Sequence, residues 1–436
     1  MTLVDLIPHT SPRDRLAPLP VAIIGAGPVG LAAAANLAER GIDFVIYEAG
    51  QAAGASVRDW GHTRLFSPWK HLVDPASRRL LETEGWEPPS PERAPTGEEL
   101  VAQYVAPLAD VPLIAARLRT GVRVEAVARE GMDRTRSRAR AAAPFVLRLR
   151  AASGEVTETT ARAVIDASGT YTSPNPLSSN GLELLGMSDI ADRVTHALPD
   201  VQGRDRDLFA GRRVTVVGAG HSAANTLLAL VSLAREHAGT SVTWIIRNPQ
   251  AVRVSSSPDD QLAGRAELGA RVDAAVERGE ITVLDGFEIL RARRAAEGVE
   301  LVGRRGDEVV AHGTDIVVNA TGFRPDLAML REMRLDLDEV VEAPARLAPL
   351  IDPNLHSCGT VEPHGYRELA HPEPGFFIVG MKSYGRAPTF LLATGYEQVR
   401  SVVAWLDDDA AAASRVELTL PATGVCSTDQ AGGCCS

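Results

Sequence analysis

The chain has 436 residues, 45% of them hydrophobic and 23% charged, which is the composition of an ordinary globular protein with room for two or three domains. Disordered, collagen-like and disulfide-scaffold classes are excluded on that basis. A formal charge of −11, from 45 basic and 56 acidic residues, argues against a nucleic-acid partner, because phosphate contacts need a basic surface.

Two residue types are unevenly used. Lys70 and Lys382 are lysines and the other basic residues are arginine, a skew that fits a GC-rich coding bias. Cysteine occurs four times, as Cys358, Cys426, Cys434 and Cys435. A chain body without a cysteine framework fits a reducing cytosol, so a cytoplasmic location is expected. Residues 1–20 carry Asp5, Asp14 and four prolines, and no apolar targeting core is read there. Residues 21–38 are uncharged and long enough to span a bilayer. Three glycines and a proline in their first ten positions suit a strand, a turn and a helix instead, so no membrane span is expected.

The apolar run 21–24 predicts a buried parallel strand. Gly25-Ala26-Gly27-Pro28-Val29-Gly30 follows, then a helical run to Arg40 closed by Gly41, a natural residue just past a helix end. Residues 44–47 predict a second buried strand, ending at Glu48. Segments 121–127 and 145–150 alternate like strands, and 163–165 is a short apolar one. The arginine-rich stretch from Arg129 to Arg140 reads as a solvated hairpin loop rather than a binding patch.

The strand–turn–helix–strand pattern then returns. Residues 213–217 predict a strand, Gly218-Ala219-Gly220-His221-Ser222-Ala223 a turn, 224–237 a helix and 241–246 a strand ending at Arg247. A helix is expected over 259–278, strands near 281–284, 299–302 and 316–318, irregular chain over 344–375, a last buried strand at 376–379 and a last helix over 390–406. No internal repeat is read beyond the two strand–turn–helix units.

In such a turn the first glycine permits the tight bend, the second lets a pyrophosphate approach the backbone, and the third allows close helix–strand packing. The helix start then offers free N–H groups to phosphate. Gly25, Gly27, Pro28 and Gly30 satisfy this, and Glu48 stands where a carboxylate accepts ribose hydroxyls. In the second turn Gly218, Gly220 and Ser222 are followed by Ala223, still small enough for close packing. Arg247 replaces the acidic strand end. A carboxylate there would repel a 2′-phosphate, whereas an arginine can pair with it, so NADP(H) is expected over NAD(H).

Two further segments support this arrangement. Asp166-Ala167-Ser168-Gly169, with Tyr171 and Pro174 after it, and Asn319-Ala320-Thr321-Gly322-Phe323-Arg324-Pro325-Asp326 resemble the chain crossovers of flavoproteins with two dinucleotide-binding domains. Over residues 20–406 the chain resembles the flavin-containing monooxygenase-like branch of that class. The resemblance implies an α/β fold of two Rossmann-like domains, with an NADP domain inserted into an FAD domain. The corresponding boundaries are 1–203 and 323–420 for the FAD domain, 204–322 for the NADP domain, and 421–436 for a cysteine-containing tail. It also implies FAD and NADPH as cofactors, Val124 near the adenine through backbone groups, and Gly322 in the second crossover. Gly54 to Trp60, with Arg58, resembles a segment passing the flavin ring, although Trp60 can equally be a core aromatic.

In that branch NADPH reduces the flavin, which traps oxygen as a hydroperoxide and oxygenates a small soft substrate such as a thiol, a sulfide or an organoarsenical. No side-chain nucleophile is required. The match is partial. His196 fits a signature histidine, but Ile190 and Asp192 stand where Phe and Gly are usual, and no Asn lies in the segment from His62 to Lys70. Residues 55–69 also resemble flavoproteins encoded in arsenic-resistance clusters. Two alternatives start from sulfur. Cys434 and Cys435, with Cys426 nearby, could relay electrons in an NADPH-dependent reductase of a disulfide or soft metal(loid). They could also bind a metalloid in a non-enzymatic sensor. Cys358 reads as a small buried residue.

Overall fold

A computed structural model describes residues 16–248, 263–352, 363–388 and 390–418. Strand β1 (Val21–Ile24) leads through its glycine turn into helix α1 (Pro28–Glu39) and then into β2 (Phe44–Tyr47). Val21 and Ile23 pack in one apolar cluster with α1, while Ala22 and Ile24 pack in another on the opposite face. Burial on both faces is why this strand reads as a continuous apolar run and not as an alternation. Pro28 supplies the preset φ of a first helical turn.

The chain continues through β3 (Leu118–Arg119), β4 (Val122–Arg129), β5 (Phe145–Ala151), β6 (Val156–Ala161) and β7 (Ala163–Asp166). Next come β8 (Val194–His196), β9 (Arg213–Val217), α2 (His221–Glu236), β10 (Ser241–Ile245), α3 (Ala263–Glu277) and β11 (Thr282–Leu284). The second half closes with β12 (Phe287–Arg294), β13 (Val299–Arg305), β14 (Glu308–Thr314) and β15 (Ile316–Asn319). Strand β16 (Phe376–Ile378) and helix α4 (Leu392–Leu406) complete the chain.

Two five-stranded sheets result, ordered β16-β7-β1-β2-β3 and β8-β15-β9-β10-β11, with every pairing parallel. Antiparallel sheets β4-β5-β6 and β12-β13-β14 accompany them. Each half therefore runs strand, helix, two further strands, a three-stranded meander and a closing strand beside the first. This extends the expected repeat well beyond the two turns. Strands β6, β12 and β14 were not expected. They are largely exposed outer meander strands, so no apolar run marks them.

Two expectations need correction. The first unit was expected to reach residue 203, but β8 already pairs with β15 in the second sheet. Leu177, Leu184 and Ile190 share a cluster with Val217, Ile245 and Phe287, so the chain enters the second unit before Leu177. The loop after β4 is a hairpin connection as expected, but its first and last arginines are not solvated. Arg129 and Arg140 are buried and both bond Glu373, at 2.8 and 2.9 Å. Among the described residues of the stretch 344–375 there is one short helix, Ala348–Ile351. Among the described residues no helix is long and apolar enough to cross a membrane.

Candidate functional site

Both glycine turns lie at the carboxyl ends of parallel strands, where open α/β sheets bind ligands. In the first, Gly25 adopts φ +97°, and a Cβ there would stand 2.8 Å from the Ala167 carbonyl oxygen. A side chain on Gly30 would overlap the carbonyl oxygen of Gly25, so these two glycines let strand, helix and crossover close on one another. Gly27 differs, because a Cβ there meets nothing within 4 Å. The space above it is free for a ligand to approach the backbone.

Glu48 is locked beside this turn. Its Oε2 accepts the Ala26 N–H at 2.7 Å and its Oε1 accepts the Gly50 N–H at 2.7 Å. Each oxygen keeps a lone pair, so the carboxylate can still accept two hydroxyls of a sugar. The Gly54 N–H donates to the Ala26 carbonyl at 3.0 Å, and the Val122 N–H donates to the Glu48 carbonyl at 2.9 Å. These bonds bring the 50–54 segment and the start of β4, with Val124 two residues on, to the same edge.

The second turn repeats the geometry. Gly218 has φ +129°, a side chain there would overlap the Ala320 carbonyl oxygen, and a Cβ on Gly220 meets nothing within 4 Å. Ala223 is fully buried against β9 in the core of the second unit. Ser222 is half-buried in the first turn of α2. Arg247 is exposed just past β10, where its Nη1 donates to the Ser179 carbonyl at 3.1 Å. From the first unit Phe66 reaches across, its ring centroid 5.0 Å from that of His221, the residue after Gly220. The two units are therefore in contact beside the second glycine turn.

The crossovers are built alike. Asp166 Oδ1 accepts from the Ser168 N–H at 3.1 Å and the Ser168 hydroxyl at 2.6 Å. Asn319 Oδ1 accepts from Thr321 in the same way, at 3.2 and 2.7 Å. Gly322 has φ +96° and its carbonyl accepts the Asn175 N–H at 2.9 Å. One feature of the first crossover has no counterpart in the second: Lys382 Nζ pairs with Asp166 Oδ2 at 2.7 Å, with the side chains 1% and 0% exposed. Sequence reasoning noted Lys382 only as a rare residue type, and that rarity was the available signal.

The remaining candidates divide. Trp60 is half-buried against the first core, its ring 2.8 Å from the position of a Cβ on Gly97. Arg58 is exposed at the end of the short helix Ala55–Asp59. His196 pairs with Asn319 at the carboxyl end of β8, and burial holds its imidazole below the ordinary range. Ile190 is core and Asp192 bonds Arg294. Cys358, Cys426, Cys434 and Cys435 lie outside the described residues, and no metal-ligand cluster occurs among those described.

No curated protein sequence matches the chain. Its fold is similar to that of bacillithiol disulfide reductase from Bacillus cereus, at 21% identity over 89% of this chain and 99% of that one, with a TM-score of 0.65. It is also similar to a flavin-containing monooxygenase from Stenotrophomonas maltophilia, at 22% identity over 89% and 99%, with a TM-score of 0.54. A third neighbour is ornithine hydroxylase from Pseudomonas aeruginosa, at 15% identity over 90% and 99%, with a TM-score of 0.60. The family described as pyridine nucleotide-disulphide oxidoreductase matches residues 22–143 and 151–346. With both glycine turns and both crossovers inside that match, the chain belongs to the pyridine nucleotide-disulphide oxidoreductase family and is an oxidoreductase.

Proposed function

We propose that the protein is an FAD- and NADPH-dependent monooxygenase acting on a small soft nucleophile, a thiol, a sulfide or an organoarsenical. The observation that carries this reading is the absence of cysteine from residues 1–357, which include both turns, both crossovers and the family match. A dithiol beside the flavin is what a disulfide reductase of the usual kind would need, and none can form there. The overall reaction balances as NADPH, a proton, oxygen and substrate giving NADP, water and the singly oxygenated product.

The residues at the two turns fit the two cofactors. At the first, Gly25, Gly27, Pro28 and Gly30 leave the backbone open to the FAD pyrophosphate, and unpaired N–H groups of the first turn of α1 face it. Glu48 keeps a lone pair on each oxygen for the adenosine ribose, and Val124 approaches the adenine from β4. Arg58 and Trp60 follow the loop that borders the same edge. At the second, Gly218, Gly220, Ser222 and Ala223 take the NADPH pyrophosphate, and Arg247 offers its guanidinium to the 2′-phosphate. When bound, the flavin supplies hydride acceptance and oxygen reduction. The protein holds the two nucleotides on units that touch at Phe66 and His221, beside the second glycine turn.

The test is stoichiometry with isotope. Purified protein should consume oxygen and NADPH together in the presence of a thiol or sulfide, with one atom of labelled oxygen in the product. NADPH oxidation without oxygen uptake under any substrate would overturn the reading. A second reading, an NADPH-dependent reductase of a disulfide or soft metal(loid), is favoured by the adjacent Cys434 and Cys435 behind Gly432 and Gly433. Under it, replacing both cysteines with serine abolishes turnover, whereas the monooxygenase reading leaves turnover intact.

A further inference from the structure

Lys382 lies in the turn Gly380–Tyr384 that follows β16 and is 2% exposed. Its Nζ donates to Asp166 Oδ2 at 2.7 Å and to the Ser168 hydroxyl at 3.1 Å. An ammonium carries three N–H groups, and the third has no acceptor among the described residues. Leaving a charged donor unmatched away from water is unfavourable.

The position of this donor is informative. Asp166 ends β7, the neighbour of β1, and the Ser168 Cα is 3.1 Å from where a Cβ on Gly25 would stand. Gly380, two residues before Lys382, comes within 3.3 Å of Val29 when given a Cβ. The ammonium thus sits against the crossover that borders Gly25, and the turn that carries it packs on the start of α1. Its support is firm. Gln398 of α4 accepts the Gly380 N–H at 2.7 Å and donates to the Ser383 hydroxyl at 2.9 Å, and that hydroxyl donates to the Gly380 carbonyl at 2.8 Å.

The second half of the chain serves as an internal control. There Asn319 and Thr321 stand where Asp166 and Ser168 stand, the side-chain-to-backbone bonds are the same, and the Asn319 amide donates to the Asn175 carbonyl at 2.7 Å. The crossover geometry therefore needs neither a carboxylate nor a cation. Composition does not explain the lysine either, since lysine appears at only one other position, Lys70. Geometry does. Asp166 Oδ1 is occupied by Ser168, so no two-oxygen face remains for the planar fork of an arginine, whereas a three-pronged point cation fits.

We propose that Lys382 donates its third N–H to the flavin dinucleotide held at the first turn. It is then a cofactor-binding residue outside the glycine fingerprint, with Asp166 and Ser168 aiming it. This rests on the reading of that turn as the FAD site, and the flavin content of the wild-type protein tests that reading separately. A wild type that neither retains nor rebinds FAD refutes the site assignment, whatever the variants do.

The experiment compares Lys382→Met, Asp166→Asn and the double variant, measuring FAD dissociation constants by equilibrium dialysis and thermal melting of the flavin-free proteins. Lys382→Met alone strands a buried carboxylate, so it lowers the melting temperature of the flavin-free protein. The double variant copies the neutral arrangement of the second half. Its flavin-free form should melt within a few degrees of wild type while its FAD dissociation constant rises about ten- to a hundredfold, the loss of one charge-assisted hydrogen bond. FAD affinity at the wild-type level in the double variant would overturn the proposal. So would a folded Lys382→Met protein that binds FAD as tightly as wild type, because the proposed donor is gone.

Discussion

Arg129 and Glu373 lie 244 positions apart and form a 2.8 Å ion pair with side chains 1% and 0% exposed. Arg140 closes on the same carboxylate from the other side at 2.8 Å, and the Arg129 guanidinium carbon sits 3.6 Å from the centroid of the Phe145 ring. Burial pushes the Glu373 carboxyl upward, but the two guanidiniums outweigh it and hold the group below the ordinary range. The remaining guanidinium N–H groups reach the carbonyls of Ala143, Pro374, Asp133 and Glu332. The cluster therefore fastens the β4–β5 connection to the chain entering β16.

Removing the shared anion should be costly. Glu373→Gln leaves two buried cations around a neutral amide, and breaking such a pair destabilises by about 3–5 kcal/mol. The measurement is thermal melting together with limited trypsin digestion, which should now cut at Arg134, Arg136 and Arg138. The exposed pair Arg148–Glu158, at 2.7 Å, is the contrast. Glu158→Gln should change stability by less than about 1 kcal/mol. Equal effects from the two substitutions would show that burial is not what makes the first cluster matter.

The first glycine turn separates ligand binding from folding within four residues. Gly27→Val places its side chain in space that is open in the protein, so the chain should fold with unchanged far-ultraviolet dichroism and purify without flavin. Gly30→Val drives a side chain into the Gly25 carbonyl, so it should lower stability and soluble yield before any question of cofactor arises. A yellow Gly27→Val protein would refute the placement of the pyrophosphate.

Arg247 should set cofactor choice and little else. It is exposed, and among the described residues its hydrogen bond goes to the Ser179 carbonyl at 3.1 Å, so Arg247→Ala costs little stability. Losing one charged phosphate contact should weaken NADPH by about 1.5–3 kcal/mol and leave NADH unaffected. The ratio of kcat/KM for NADPH to that for NADH should then fall at least tenfold. An unchanged ratio would remove Arg247 from the 2′-phosphate site.

What could be read from the chain follows from how each element is buried. Strands β1, β2, β9, β15 and β16 are covered on both faces and announce themselves as apolar runs. Strands β6, β12 and β14 carry one poorly covered face, and their Thr, Glu and Arg residues hide them. The glycine turns were legible because the positive φ of Gly25 and Gly218 is a demand of the strand–turn–helix bend itself, local to the sequence. The Lys382–Asp166 and Arg129–Glu373 pairs were not, since each joins residues more than two hundred positions apart. Nothing near Arg129 in the sequence distinguishes it from the solvated arginines that follow. The cysteines gave the strongest functional signal through where they are absent, which their positions in the sequence show directly.

A buried carboxyl away from the ligand edges gives the protein a pH dependence of its own. Asp74 caps the helix Pro75–Thr83 by accepting the Ser77 N–H at 2.7 Å, and it packs beside Asn36 and Tyr104. Burial raises its carboxyl from 3.8 to about 6. The native protein thus keeps this proton across a range in which the unfolded chain has released it. Stability from this group is greatest below pH 4 and declines as the pH rises through 6, by about 3 kcal/mol in all. His371 has the opposite slope, because burial lowers it to about 4, so the folded protein resists protonation that the unfolded chain accepts. A single stability curve would blend the two. Asp74→Asn isolates the first, since asparagine caps a helix as well as aspartate does and has no charge to bury, while His371 is present in both proteins and cancels in the difference. The variant should match wild type near pH 4 and exceed it by about 1–3 kcal/mol at pH 8, measured by urea unfolding of the flavin-free forms. A difference that is the same at pH 4 and pH 8 would mean that the Asp74 carboxyl is not perturbed in the folded protein.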